Sequence, residues 1–215
     1  MKVLPHGQIL RYEEMLRLVT IAASLGISHV RVTGGEPLVR RGIIDFIASL
    51  RWCDDIEDVS LTTNGVLLEE MAEALAEVGK PRLNISLDSL NARKFREITG
   101  SDCWAKVWRG IARAEELGYY PLKINMVPVR AINDDEVADF ARLTLERRIH
   151  VRFIEFMPIG ANDRWNRDVC VTADQVRAVI EQQFGPLIPF TAGKTAGPSD
   201  NYQIPGAQGV VGFIS

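Results

Sequence analysis

Three cations occupy matching places in short apolar segments of the chain. Arg31 stands in His29-Val30-Arg31-Val32-Thr33, Lys123 in Leu122-Lys123-Ile124-Asn125-Met126-Val127, and Arg152 in Val151-Arg152-Phe153-Ile154-Glu155-Phe156. Each segment reads as a strand, in which alternate residues share a face. Arg31 therefore lies beside Thr33, Lys123 beside Asn125, and Arg152 beside Ile154. Val59–Thr63 and Leu83–Leu87 repeat the pattern, with Ser60 beside Thr62 and Asn84 beside Ser86. The opposite faces carry apolar groups, among them Val32, Leu61, Ile85, Ile124 and Val151. Burying an unpaired charge is costly, so three cations on one inward face suit an anionic ligand such as a polyphosphate.

A second feature follows the first of these segments, in Thr33-Gly34-Gly35-Glu36-Pro37-Leu38. Two glycines allow a sharp turn and a close backbone approach to a ligand, and Pro37 fixes the exit. Ligand-binding groups belong at the carboxyl ends of parallel strands. The glycine turn and the strand-end polar residues Thr33, Thr62, Ser86, Asn125 and Glu155 fall at that end. Cys53, Cys103 and Cys170 are spaced far wider than zinc or iron–sulfur ligands. They read as small hydrophobes, and no metal-ligating set is assigned. His6, His29 and His150 have no carboxylate or metal partner at useful spacing and read as solvated or structural. No side chain is assigned a catalytic acid–base role.

The elements that must position these residues alternate regularly. Helical patterns over Tyr12–Leu25, Ile43–Leu50, Leu68–Val78, Trp104–Leu117 and Asp134–Leu145 fall between the five strand segments. Such alternation predicts an α/β fold, a parallel sheet with helices outside. After Phe156 the style changes: a loop-like stretch, a capped helix over Thr172–Phe184, then a Gly- and Pro-rich remainder. Leu187–Phe190, Tyr202–Ile204 and Val210–Ile214 read as short strands of a smaller appended unit, with a boundary near 165.

Composition narrows the class. The 215 residues are 47% hydrophobic and 25% charged, ordinary for a globular chain, which argues against disorder or a coiled coil. No run approaches the roughly 18 apolar residues of a membrane span, and Met1–Gly7 lacks a secretory apolar core. A net charge of -3 gives no basic footprint for nucleic acid. The chain reads as cytoplasmic, with neither nucleic-acid nor membrane partner.

Taken in order, Arg31-Val32-Thr33-Gly34-Gly35-Glu36-Pro37-Leu38, Thr62-Thr63-Asn64-Gly65, Ile85-Ser86-Leu87-Asp88-Ser89, Lys123-Ile124-Asn125 and Arg152-Phe153-Ile154-Glu155-Phe156-Met157-Pro158 resemble the GTP 3′,8-cyclase family of molybdenum cofactor biosynthesis. That family consists of radical S-adenosylmethionine enzymes. The resemblance covers essentially the whole chain and implies an open, partial TIM-like barrel over 1–165. It makes 166–215 the beginning of a truncated C-terminal cluster-binding domain. It implies that Gly35, Ser86 and Met157 contact S-adenosylmethionine, that Glu36 helps to orient the methionyl amine, and that Arg31, Thr62, Lys123 and Arg152 hold GTP. Gly35, Thr62, Ser86, Lys123 and Met157 are then expected to gather on the rim at the carboxyl end of the barrel. The family's cofactors are S-adenosylmethionine and two 4Fe-4S clusters. Its partners are GTP, an electron donor, the downstream cyclic pyranopterin monophosphate synthase and a second copy in a homodimer. Both cysteine motifs of the family are absent from this sequence, so the chain is expected to be a fragment without cyclase activity of its own.

Two other readings stay open at this stage. One is a cluster-free nucleotide-binding domain with a regulatory role. The other is a phosphate-binding aldolase-type barrel, which needs a catalytic lysine or acid–base pair at the strand ends; Lys123 is the only inward lysine. Cysteine codons in frame on both flanks of the gene would favour the cyclase family over both.

Overall fold

The computed structural model describes residues 9–157, 167–191 and 197–215. Eight strands form one sheet: β1 (His29–Val32), β2 (Asp58–Thr63), β3 (Arg82–Ser86), β4 (Leu122–Met126), β5 (Ile149–Ile154), β6 (Ile188–Pro189), β7 (Asp200–Gln203) and β8 (Val210–Ile214). Their order is β1-β2-β3-β4-β5-β8-β7-β6. The pairs from β1 to β5 are parallel, and so is β5 with β8, whereas β7 and β6 add antiparallel at the far edge.

Between the strands run α1 (Tyr12–Ser24), α2 (Ile43–Arg51), α3 (Leu68–Glu77), α4 (Ala92–Thr99), α5 (Trp104–Glu116), α6 (Val137–Glu146) and α7 (Ala173–Phe184). Their apolar stripes meet the apolar face of the sheet. Ile47, Leu50, Leu68, Leu75, Ile111 and Phe140 share one buried core with Leu61, Leu83, Ile85, Ile124 and Val151. α5 packs closely on α3. A Cβ on Gly110 would stand 2.9 Å from Leu68 Cβ and 3.0 Å from the Gly65 carbonyl oxygen.

The parallel α/β order follows the alternation read from the sequence, and several strand boundaries differ. β2 and β3 each begin one residue earlier than expected, which brings Asp58 and Arg82 into the ladder. β5 begins at Ile149 and ends at Ile154, so it gains His150 and releases Phe156. Val210–Ile214, expected among the strands of an appended unit, instead pairs with β5 as the sixth parallel strand. The reason is physical: Val211 and Phe213 continue the apolar face of Val151 and Phe153, and the Phe153 and Phe213 rings stack at 6.2 Å.

The polar face is curved inward. Arg152 on β5 hydrogen-bonds Asn84 two strands away, and residues of β3, β4, β5 and β7 line one cavity, so the inner face encloses a lumen.

Candidate functional site

At the carboxyl ends of the strands lie the turn residues. Only Gly34 of the glycine pair needs its lack of a side chain for conformation, at φ +139°. Gly35 serves differently. It is exposed, and a Cβ there would touch nothing within 4 Å, so its surface is open to an approaching group. Thr62 lies near the end of β2, Ser86 ends β3, and Met157, 38% exposed, follows β5. Pro158, which completes that motif, lies outside the described residues.

Glu36 joins two of these turns. Its carboxylate accepts from the Leu38 N–H at 3.1 Å, the Thr63 hydroxyl at 2.7 Å and the Asn64 N–H at 2.6 Å. It thus caps the short 3-10 turn at Pro37–Val39 and clamps the glycine turn to the turn after β2.

Further around the rim, Asn133 and Asp88 hold the segments after β3 and β4 together. Asp88 accepts the Val127 N–H at 2.9 Å, while Asn133 donates to the Asp88 and Val127 carbonyls. Burial raises the Asp88 pKa, partly offset by the Val127 bond.

Below the rim the lumen is cationic. Lys123 and Arg152 are only 5% and 4% exposed. Lys123 sits between Asn84 and His150 in the ladder, and Arg152 between Asn125 and Gly212. The acidic side chain in this region, Asp58, is taken by Arg82, whose Nε donates to it at 2.6 Å. Among the described residues, Lys123 and Arg152 have no acidic partner within 4 Å, and Arg152 Nε has no partner at all. Burial and the neighbouring cations depress Lys123 to about 8 and Arg152 to about 10. His150, half-buried beside these charges, is lowered by its partial burial and by the two cations to about 4 and stays neutral. Arg31 is exposed on the edge strand, and its charge reaches both buried cations.

A cavity of about 410 Å³ opens here, lined by Arg82, Lys123, His150, Arg152, Phe190 and Asn201 among others. Its wall continues to Tyr120, Pro121, Arg148 and Gln208, all of which precede their strands. This corrects the expected rim. Gly35, Thr62, Ser86 and Met157 lie towards the carboxyl end, but Lys123 is the second residue of β4 and belongs to a cavity facing the amino ends.

Arg82, Asp58 and His150 were not among the expected site residues. Extending the alternation by one or two positions at each strand start would have found them. Among the described residues, no group of three or more His, Cys, Asp or Glu side chains could hold a metal ion. No helix there is long and apolar enough to cross a membrane.

Residues 2–144 match the sequence profile of the radical SAM superfamily. The chain belongs to that superfamily. Residues 149–215 match a second profile, Molybdenum Cofactor Synthesis C. Relatives named GTP 3′,8-cyclase include that of Gloeobacter violaceus, 49% identical over 99% of this chain and 65% of its own length. That of Thermodesulfovibrio yellowstonii is 44% identical over 99% of this chain and 66% of its own length. That of Desulforamulus reducens is 46% identical over 100% and 66%. The chain thus spans just under two thirds of the relatives it matches. Among solved structures, a radical SAM methyltransferase from Sphaerobacter thermophilus superposes with a TM-score of 0.59 at 18% identity, over 80% of this chain and 54% of that one. TYW1 with a lysine-pyruvate adduct bound gives 0.58 at 17%, over 84% and 64%. These two place the fold, the open radical SAM barrel expected from the sequence.

Proposed function

We propose that this chain is the nucleotide- and S-adenosylmethionine-binding body of a GTP 3′,8-cyclase acting in molybdenum cofactor biosynthesis. One observation carries the proposal: two buried cations without acidic partners line a cavity in a lumen whose other end bears an open glycine turn. A desolvated cation pair is costly unless an anion completes it. Lys123 and Arg152, with Arg31 at the edge, would grip the triphosphate of GTP, and Thr62 would face the nucleotide from β2. At the carboxyl end, Gly35 would receive the methionyl group, Ser86 the ribose side and Met157 the adenine side of S-adenosylmethionine.

The two ligands would then enter from opposite ends of one lumen. When bound, S-adenosylmethionine would supply, on taking one electron from the proposed donor, the hydrogen-abstracting group for the ribose 3′ carbon of GTP, the carbon to be joined to C8 of the base. This chain's residues bind, orient and keep water from the reacting ends. The superfamily's iron–sulfur cluster finds no ligand set among the described residues. An electron donor and the downstream cyclic pyranopterin monophosphate synthase are the proposed partners, and a homodimer the proposed assembly.

The experiment is titration of GTP, GMP and guanosine against the chain and its Lys123→Ala variant. A charge-assisted contact of about 1.5–3 kcal/mol makes the expected loss for GTP about tenfold to a hundredfold, with guanosine little affected. Equal losses for GTP and guanosine would overturn the phosphate role.

The lowered pKa of Lys123 is also the property that a Schiff-base aldolase exploits. Borohydride treatment with a carbonyl substrate separates the two readings, because the binding role leaves Lys123 unmodified.

A further inference from the structure

Arg152 is more buried than the other arginines whose partners are acidic, yet its own partner is neutral. Arg82 pairs with Asp58, Arg109 with Glu69, Arg113 with Glu73 and Arg147 with Glu115. Arg152 instead donates from Nη2 to the amide oxygen of Asn84. Asn84 is 2% exposed and stands on the inner face of β3, between Thr62 and Lys123 in the ladder. Its amide nitrogen donates to the Leu61 carbonyl oxygen at 3.3 Å, which turns the amide oxygen towards the guanidinium. To reach it, Arg152 crosses over β4 from β5. At Gly212, beside Arg152 in the ladder, a Cβ would lie 3.2 Å from Arg152 Cγ, so the stem of the arginine fills the space a larger residue would need. Two polar atoms near this crossing, Arg152 Nε and Asn125 Oδ1, are buried without partners.

We propose that Asn84 is a positioning residue: it fixes the Arg152 guanidinium over the lumen with a neutral acceptor and so leaves its charge uncancelled for an anionic ligand. A carboxylate at this place would hold the guanidinium as well. It would also neutralise it, as Asp58 does for Arg82 on the same face. An apolar residue would leave the charge but not the direction. The amide meets both requirements. This inference rests on the proposed reading that the lumen receives a phosphate chain, and it adds the residue that presents one of the cations.

The two properties separate in Asn84→Ala and Asn84→Asp. Binding of inorganic tripolyphosphate and of GTP to the chain is measured by calorimetry across about 0.05–0.5 M salt, because the salt dependence reports how much charge the site offers. The alanine variant is expected to lose several-fold in affinity with the salt dependence of the parent. The aspartate variant is expected to lose about tenfold or more, with a shallower salt dependence, since one lumen charge is cancelled. In an Arg152→Gln background Asn84→Ala should have little further effect.

If Asn84→Asp binds tripolyphosphate as tightly as the parent chain, or if the two variants agree in affinity and salt dependence, the assignment is wrong. If the parent binds tripolyphosphate but not GTP while the variants behave as described, the role of Asn84 stands and the nucleotide reading falls. A parent chain that binds neither probe overturns both. Should the aspartate variant not fold, Asn84→Ser takes its place. It keeps a short neutral acceptor and must retain affinity that alanine loses, and a serine no better than alanine refutes the role.

Discussion

Lys123 pays for its position in stability and is useful only when an anion is present. Between pH about 8, its value in the folded chain, and the ordinary lysine range, the unfolded chain holds more protons on this side chain than the folded one. Its contribution to stability therefore improves as pH rises through that window, and below it the full cost of the buried charge is carried. Lys123→Met is expected to raise the unfolding free energy of the unliganded chain at neutral pH by ~1–3 kcal/mol. It should also flatten the rise above pH 8, as urea denaturation across pH would show. Anion affinity moves the other way: it should fall as pH rises through about 8, where Lys123 loses its proton, and Lys123→Arg should remove that step. His150 stays neutral down to about 4, so its ring resonances should not titrate between pH 5 and 7 when followed by NMR. An inflection of those resonances near the ordinary histidine value would contradict the neutral imidazole.

At the scale of elements, Glu36 ties the glycine turn to the turn after β2. Glu36→Ala would leave the Asn64 and Leu38 N–H groups and the Thr63 hydroxyl without their acceptor. A loss of about 1–3 kcal/mol is expected, together with faster amide exchange at Leu38 and Asn64 and little change at β4. Gly110→Ala should cost a similar amount by forcing α5 off α3, because its contacts include backbone atoms that cannot yield. The alternation of elements and the polar inner face were legible in the sequence because period-2 and helical patterns are local. Strand starts were not. Asp58 and Arg82 are charged residues at the ends of apolar runs, where a turn and an inward ion pair look alike. The partner of β8 was hidden as well, since an apolar pentapeptide carries no mark of the strand it will join. The depth of Lys123 depends on register between strands, which no single segment encodes.

For the whole molecule, the cations come from β1, β4 and β5, so only the folded barrel brings them to one anion. Bound ligand should therefore stabilise the fold as a unit. GTP at a hundred times its dissociation constant is expected to add about 2.7 kcal/mol to the unfolding free energy, and Lys123→Met should lose most of that gain at the same concentration. Thermal melts with and without GTP would measure it; a variant that gains as much as the parent would remove Lys123 from the site. The parallel pairing of β5 with β8 joins His150 to Val210 and Phe153 to Phe213. These partners are 60 residues apart in each case (210 − 150 and 213 − 153). At the usual pace of translation, about 5–20 residues per second, β5 would wait roughly 3–12 s for its neighbour to be made. During that interval one edge of the nascent sheet is open, and Val151 and Phe153 lack the residues that complete their cover. Closure of the β5 edge in the cell is thus timed by the synthesis of β8, and a chaperone that shields that edge would act in that window.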